Sequence, residues 1–204
     1  MIIGNRGYSI IKEDIKINQL GSIRKDLTVK PFINQNYGMP PKPFSVYSES
    51  RKKLYLPRFY GIQKLGPPIN TTFEEVSNID IDFSKELRPK QLPIVDSYLN
   101  SVNNIEGGGG IISVPCGYGK TVLALYILSK LKVKTLVVVH KEFLMNQWKE
   151  RIEEFLPEAR VGRIQGQVTK VENKDIVLGM LQSLSMVEYK DDVFKDFGFV
   201  IYDE

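Results

Sequence analysis

The sequence predicts an α/β fold over residues 85–204, a mostly parallel sheet wound with helices, preceded by a small β-rich module over residues 1–84. Three observations predict it. From residue 85 onward, apolar strand-like runs alternate with segments of helical period, the order that builds a doubly wound sheet. A glycine loop ending in Lys120-Thr121 joins an apolar run to one of those helical segments. The first third differs in kind: residues 1–64 carry 12 Lys+Arg against 4 Asp+Glu, a balance of +8, and their apolar runs are short and β-type.

In the first module, Phe44-Ser45-Val46-Tyr47 and the run Lys53 to Tyr60 flank the polar turn Ser48 to Lys52, which reads as a β-hairpin. Pro57 has no N–H to give a ladder, so it puts the second strand at an edge or on a bulge. Pro40-Pro41-Lys42-Pro43 marks an extended stretch. Gly66-Pro67-Pro68 breaks the chain, and an acidic stretch from Glu74 to Asp82 follows, so the domain boundary falls between 66 and 84. Arg51, Lys52, Lys53 and Arg58 interleave with Tyr55, Phe59 and Tyr60. Such a surface can stack bases and hold phosphates, or the aromatics can fill a small core beneath a solvated basic face.

Beyond the boundary, Arg88-Pro89 opens a helix, because proline is tolerated in a first turn. Leu92, Val95, Tyr98 and Leu99 share one of its faces. Gly107 to Gly110 is a connector. Ile111 to Val114 is a strand, Lys120 to Leu131 a helix, and Thr135 to Val139 a continuous apolar strand of the buried parallel kind. Glu142 to Phe155 is an amphipathic helix that stops before Pro157. Its Leu144, Trp148, Ile152 and Phe155 fall at core spacing. Ile176 to Gly179 and Phe199 to Tyr202 are the last two strands.

Pro115-Cys116-Gly117-Tyr118-Gly119-Lys120-Thr121 has the layout of a nucleotide phosphate cradle, with Val114 where the general pattern has glycine. Glycines let backbone N–H groups turn inward, and the following helix aims its positive end at the same anion. In that layout Lys120 reaches the β/γ-phosphates and the Thr121 hydroxyl ligates Mg²⁺. Cys116 is a small residue compatible with the loop. Asp203 and Glu204 follow the last strand, and a carboxylate at a strand tip beside such a loop suits a Mg²⁺-nucleotide site. Asp203 would hold Mg²⁺ through water, and Glu204 would orient or deprotonate the attacking water.

Bulk properties exclude several classes. Hydrophobic residues make up 42% and charged residues 25%, which is ordinary for a globular chain. No apolar run approaches the ~20 residues of a membrane span, and the first residues do not read as a signal peptide. One cysteine leaves no internal disulfide and fits a reducing, intracellular compartment, where no disulfide-linked partner is expected; one histidine and one cysteine do not build a zinc cluster.

Taken together, residues 85–204 resemble the first motor domain, a RecA-like sheet, of superfamily 2 helicases of the DEAD/DEAH-like group. Leu87-Arg88-Pro89-Lys90-Gln91 resembles the upstream segment whose glutamine reads adenine, so Arg88 and Gln91 are implied on the nucleotide. Pro115 to Thr121 resembles motif I. Val137 to Lys141 with Leu144 and Gln147-Trp148 resembles motif Ia and its helix, although His140-Lys141 stand where the family usually has Pro-Thr. Val177 to Leu184 resembles a later segment that touches nucleic acid, with Gly179-Met180-Leu181 before Gln182. Tyr202-Asp203-Glu204 resembles the start of motif II. The cysteine-bearing loop and the Gln-Trp pair look most like the XPB-like branch and its relatives in large DNA viruses.

The resemblance implies ATP and Mg²⁺ as cofactors, DNA or RNA as partner, and His140, Lys141 and Gln182 as nucleic-acid contacts. It also implies a second RecA-like domain as partner. The expectation is therefore a fragment or split product that binds nucleotide and hydrolyses little by itself, in the virion or infected-cell cytoplasm if the source is viral. Another P-loop NTPase such as a kinase, and a non-catalytic binding module, are the competing readings.

Overall fold

A computed structural model describes residues 1–31, 42–72, 76–104 and 108–203. Pro40-Pro41, Glu74-Glu75, Gly107 and Glu204 lie outside the described residues. The chain divides into two compact units, Met1–Glu74 and Glu75–Glu204.

The first unit opens with strands β1 (Ile2–Gly4) and β2 (Gly7–Ile11), then helix α1 (Ile17–Asp26) and strand β3 (Thr28–Val29). Strands β4 (Phe44–Ser45), β5 (Ser48–Glu49) and β6 (Lys53–Leu56) follow, then helix α2 (Arg58–Leu65) and strand β7 (Asn70–Thr72). Five of the strands form one sheet in the order β5-β6-β2-β1-β7, and β3 pairs with β4 in a separate ribbon. Alternate residues of β2 and β6 point inward, so Tyr8, Ile10, Leu54 and Leu56 are buried with Ile3 and Ile23.

The hairpin forms with a different register from the one expected. Ser48 pairs with Tyr55 and Glu49 with Leu54, while Phe44 and Ser45 pair with β3. The turn is therefore shorter, Ser50 to Lys52, and is closed by Ser50 Oγ accepting the Lys53 N–H at 3.0 Å. Pro57 sits on neither an edge nor a bulge. Strand β6 lies between β5 and β2, and Pro57 comes just after it, as the residue from which α2 starts. A residue with fixed φ and no N–H costs nothing where a helix begins, so Arg58, Phe59 and Tyr60 are helical.

The second unit holds helices α3 (Leu92–Asn104) and α4 (Lys120–Leu131), strand β8 (Thr135–Val139) and helix α5 (Glu142–Phe155). Strands β9 (Val161–Gln165), β10 (Val168–Lys170) and β11 (Ile176–Met180), helix α6 (Leu181–Met186) and strand β12 (Phe199–Asp203) complete it. Its sheet runs β10-β9-β11-β8-β12, parallel throughout except for the antiparallel hairpin partner β10. Both central strands, β8 and β11, are buried along their whole length, as continuous apolar runs covered on two faces must be. One face packs on α4 and α5 through Leu125, Leu128, Met145, Trp148 and Ile152.

Two elements depart from the sequence reading. Helix α3 begins at Leu92 rather than at Arg88-Pro89. Residues 88–91 form a turn closed by the Gln91 N–H donating to the Arg88 carbonyl at 2.8 Å. Leu92, at the helix start, stays exposed, whereas Val95 is fully buried against Leu123 and Ile127. The predicted strand Ile111 to Val114 is not in any ladder. Gly110 to Val114 and β12 both line a cleft of about 500 Å³, and Ile112, Val114 and Phe199 share one apolar cluster.

Candidate nucleotide site

The glycine loop reaches α4 through two residues in the left-handed region, Gly117 at φ 75° and Gly119 at φ 87°. That region costs an L side chain about 1–2 kcal/mol, so glycine belongs at both places. Gly119 is the N-cap of α4 and has no side chain with which to cap the helix. A helix start without a side-chain acceptor has first-turn N–H groups available to an external anion, and the helix dipole favours one. Lys120 and Thr121 are the first two residues of that turn.

Opposite the loop stands Asp203, the last residue of β12, paired in register with Val139. Its Oδ2 accepts a hydrogen bond from the Trp148 indole Nε1 at 2.6 Å. Trp148 projects from α5 and is buried between Met145 and Ile152 on the same helix face. Lys120, Thr121 and Asp203 open onto one cleft of about 710 Å³, together with Gly117, Gly119, Arg88 and Gln91. A hydroxyl and a carboxylate beside a lysine and an uncapped helix start form a donor set suited to Mg²⁺ and phosphate together.

Gln91 is buried, 3% exposed, and both ends of its amide are hydrogen-bonded. Its Nε2 donates to the Tyr118 carbonyl at 2.8 Å and its Oε1 accepts from the Arg88 N–H at 2.9 Å. Gln91 thus braces the loop from behind while lining the cleft. Tyr118 takes the Lys90 ammonium 4.3 Å from its ring centroid. Pro115 and Cys116 shape the loop from outside the cleft lining, and Cys116 is exposed.

The sequence reading missed the contribution of α5. Gln147, Trp148, Arg151 and Phe155 line the cleft from one helix face. Gln147, Arg151 and Phe155 recur every fourth residue, whereas the sequence reading assigned only Trp148 and Phe155 of this set, and assigned them to the core. Glu154 belongs to the same rim and pairs with Lys85 and Arg151; hydrogen bonds from Lys85 first, then Arg151, hold its carboxyl below the usual range.

At the carboxyl end of the sheet the structure brings together His140, Lys141 and Gln182. Gln182 Nε2 donates to the His140 carbonyl at 2.8 Å, which ties the end of β11 to the end of β8. Lys141 is exposed at the start of α5. The β9–β10 turn, absent from the sequence reading, joins the same edge: the Gly166 N–H donates to Ser183 Oγ and Tyr189 Oη donates to the Gly166 carbonyl. The alternation of Val161 to Lys170 about Gly166 was the signal that could have found it.

The basic set of the first unit does not assemble. Arg51, Lys52 and Lys53 are exposed at the turn end of β6. Arg58 lies beyond its other end, roughly 16 Å away along an extended strand. Arg58 is also half-buried, and burial pushes its guanidinium pKa down. Tyr55 lies under Arg6 and the Lys64 ammonium stands 5.8 Å from the Tyr60 ring centroid, so each ring has a cation over one face.

A parallel sheet with a glycine loop at a helix start and a strand-tip aspartate on one cleft is the layout of a P-loop domain. Residues 84–204 match the family described as Type III restriction enzyme, res subunit, and the chain belongs to that family, within helicase superfamily 2. A protein of Acanthamoeba polyphaga mimivirus, named as a candidate ATP-dependent RNA helicase, is 37% identical over 206 residues, covering 97% of this chain and 38% of its own length. A protein of Invertebrate iridescent virus 3, named as a candidate helicase, is 28% identical over 201 residues, 91% of this chain and 60% of its own length. A DNA 3'-5' translocase of the XPB type from Sulfurisphaera tokodaii is 45% identical over 71 residues, 35% of this chain and 15% of its own length. Both viral alignments extend across the first unit, and the chain spans between about a third and two thirds of those relatives. No helix among the described residues is long and apolar enough to cross a membrane.

Proposed function

We propose that the chain supplies the ATP-binding side of a nucleic-acid-dependent ATPase that moves on, or unwinds, DNA or RNA. The observation that carries this is the convergence of Lys120, Thr121 and Asp203 on one cleft. In this reading the first-turn N–H groups of α4 and Lys120 bind the β/γ-phosphates. Thr121 and, through water, Asp203 hold Mg²⁺, which when bound neutralises charge developing on the transferred phosphoryl group. Glu204 orients or deprotonates the attacking water. Gln91 and Arg88 flank the nucleotide, while His140, Lys141 and Gln182 contact a nucleic-acid backbone. Exposed Arg51, Lys52 and Lys53 add sequence-independent attraction to phosphates. A second RecA-like domain completes the motor, and the names of the viral and archaeal relatives support motion on a nucleic acid.

The test is a titration of the 204-residue chain with a fluorescent ATP analogue in Mg²⁺. Wild type is expected to bind and Lys120→Ala to lose at least tenfold in affinity. Equal affinities for the two would overturn the reading.

A further inference from the structure

The geometry points to Trp148 as a positioning residue that fixes the Asp203 carboxylate through its indole N–H. This rests on the reading of Asp203 as the Mg²⁺-side carboxylate. Three observations carry it. The indole Nε1 lies 2.6 Å from Asp203 Oδ2, a charge-assisted distance. Trp148 is 2% exposed and belongs to the core cluster that holds Met145 and Ile152, which restricts its ring. It also lines the cleft that Lys120 and Thr121 line, so the hydrogen bond is made at the site and not elsewhere in the core.

The chemistry of the two groups decides which one acts on the other. Indole offers a single donor and no acceptor, so Trp148 can neither ligate a cation nor take a proton. It can only orient. A strand-end aspartate has two free side-chain torsions. Binding Oδ2 to a buried, restricted donor removes that freedom and leaves Oδ1 to the water shell of a cation. An outer-shell hydrogen bond of this kind is commonly worth 10- to 100-fold in metal affinity. Phenylalanine would keep a smaller apolar ring in the core without the N–H.

Trp148 is the sole tryptophan, so its indole N–H gives one cross-peak in an ¹⁵N spectrum of the 204-residue chain. Asp203→Ala is expected to move that cross-peak and speed its hydrogen exchange at least tenfold; an unmoved cross-peak overturns the proposal. In the second arm, a fluorescent ADP analogue is titrated in EDTA and then across a MgCl₂ series. Trp148→Phe is expected to match wild type in EDTA and to need about tenfold more Mg²⁺ for its half-effect. A wild-type Mg²⁺ dependence in Trp148→Phe overturns the proposal, as does wild-type affinity indifferent to Mg²⁺. If Trp148→Phe does not fold, the wild-type cross-peak under Mg²⁺-ADP decides, and one that stays in place rejects the idea. Equal analogue binding by wild type and Lys120→Ala sinks the ATPase reading instead, while the Asp203→Ala spectrum still reports on the hydrogen bond.

Discussion

Gln91 and Tyr118, 27 residues apart, are joined by an amide-to-carbonyl hydrogen bond of 2.8 Å that fixes the glycine loop to the turn before α3. The same buried side chain accepts the Arg88 N–H. Gln91→Ala removes both bonds at once and strands two backbone groups. A stability loss of about 1–3 kcal/mol is expected in urea unfolding. Affinity for a nucleotide analogue should fall as well, because the loop loses its brace. Unchanged unfolding would mean that water replaces the amide at no cost.

The two loop glycines should respond unequally to alanine. At Gly117 a Cβ meets nothing within 4 Å, so only the positive φ opposes it, at about 1–2 kcal/mol. At Gly119 a Cβ adds a 2.7 Å clash with Gln91 Nε2. Gly119→Ala should therefore displace the Gln91 amide and weaken analogue binding more than Gly117→Ala does. Paired titrations check the order, and a larger effect at Gly117 would contradict it.

Acid should erode the second unit through Asp175. The carboxylate is buried, which by itself raises its pKa, but hydrogen bonds from the Arg160 guanidinium and backbone N–H outweigh burial and hold it below the ordinary range. A depressed folded-state pKa means stability that is complete above the unfolded value of about 4 and is lost as pH falls through the folded one. Asp175→Asn should lower the melting temperature at pH 7. Its deficit against wild type should shrink below about pH 4. A deficit independent of pH would assign the effect to packing.

Salt dependence separates the two kinds of basic residue in the first unit. Replacing Arg51, Lys52 and Lys53 with alanine should weaken binding to a duplex or single strand and flatten its dependence on salt, by nearly one unit of slope per lost phosphate contact. Arg58→Ala should act on melting temperature before it acts on the salt slope, because its guanidinium is half-buried. Binding that ignores the triple change at low salt would remove these residues from the interface.

The strongest periodic signals were legible to the residue. Helix α5 and strand β8 have the bounds read from the chain, because each combines an unbroken pattern with an end signal, Pro157 for the one and a wholly apolar run for the other. The loop and the strand-tip Asp203 were legible as local patterns, and the structure opens both onto one cleft. What failed depended on neighbours. Ile111 to Val114 has strand composition, but a ladder needs a bonded partner, and these residues join no ladder. Phe44 is as β-prone as Tyr47, yet pairing with Thr28 and Val29 was invisible from within the hairpin. Trp148 was legible as core and not as a donor, because periodicity places a ring without saying what its N–H will meet.

The parallel register of β8 and β12 has an electrostatic consequence. Val139 faces Asp203 across the ladder, and Lys141 follows two residues later. Neighbouring strands lie about 4.8 Å apart, so the Lys141 backbone is roughly 10 Å from the carboxylate, close to one Debye length at physiological salt. Saline between them therefore screens most of their mutual field, and the coupling grows as salt is lowered. At low ionic strength an anion drawn to one strand tip alters the potential at the next without any atom of the sheet having to move.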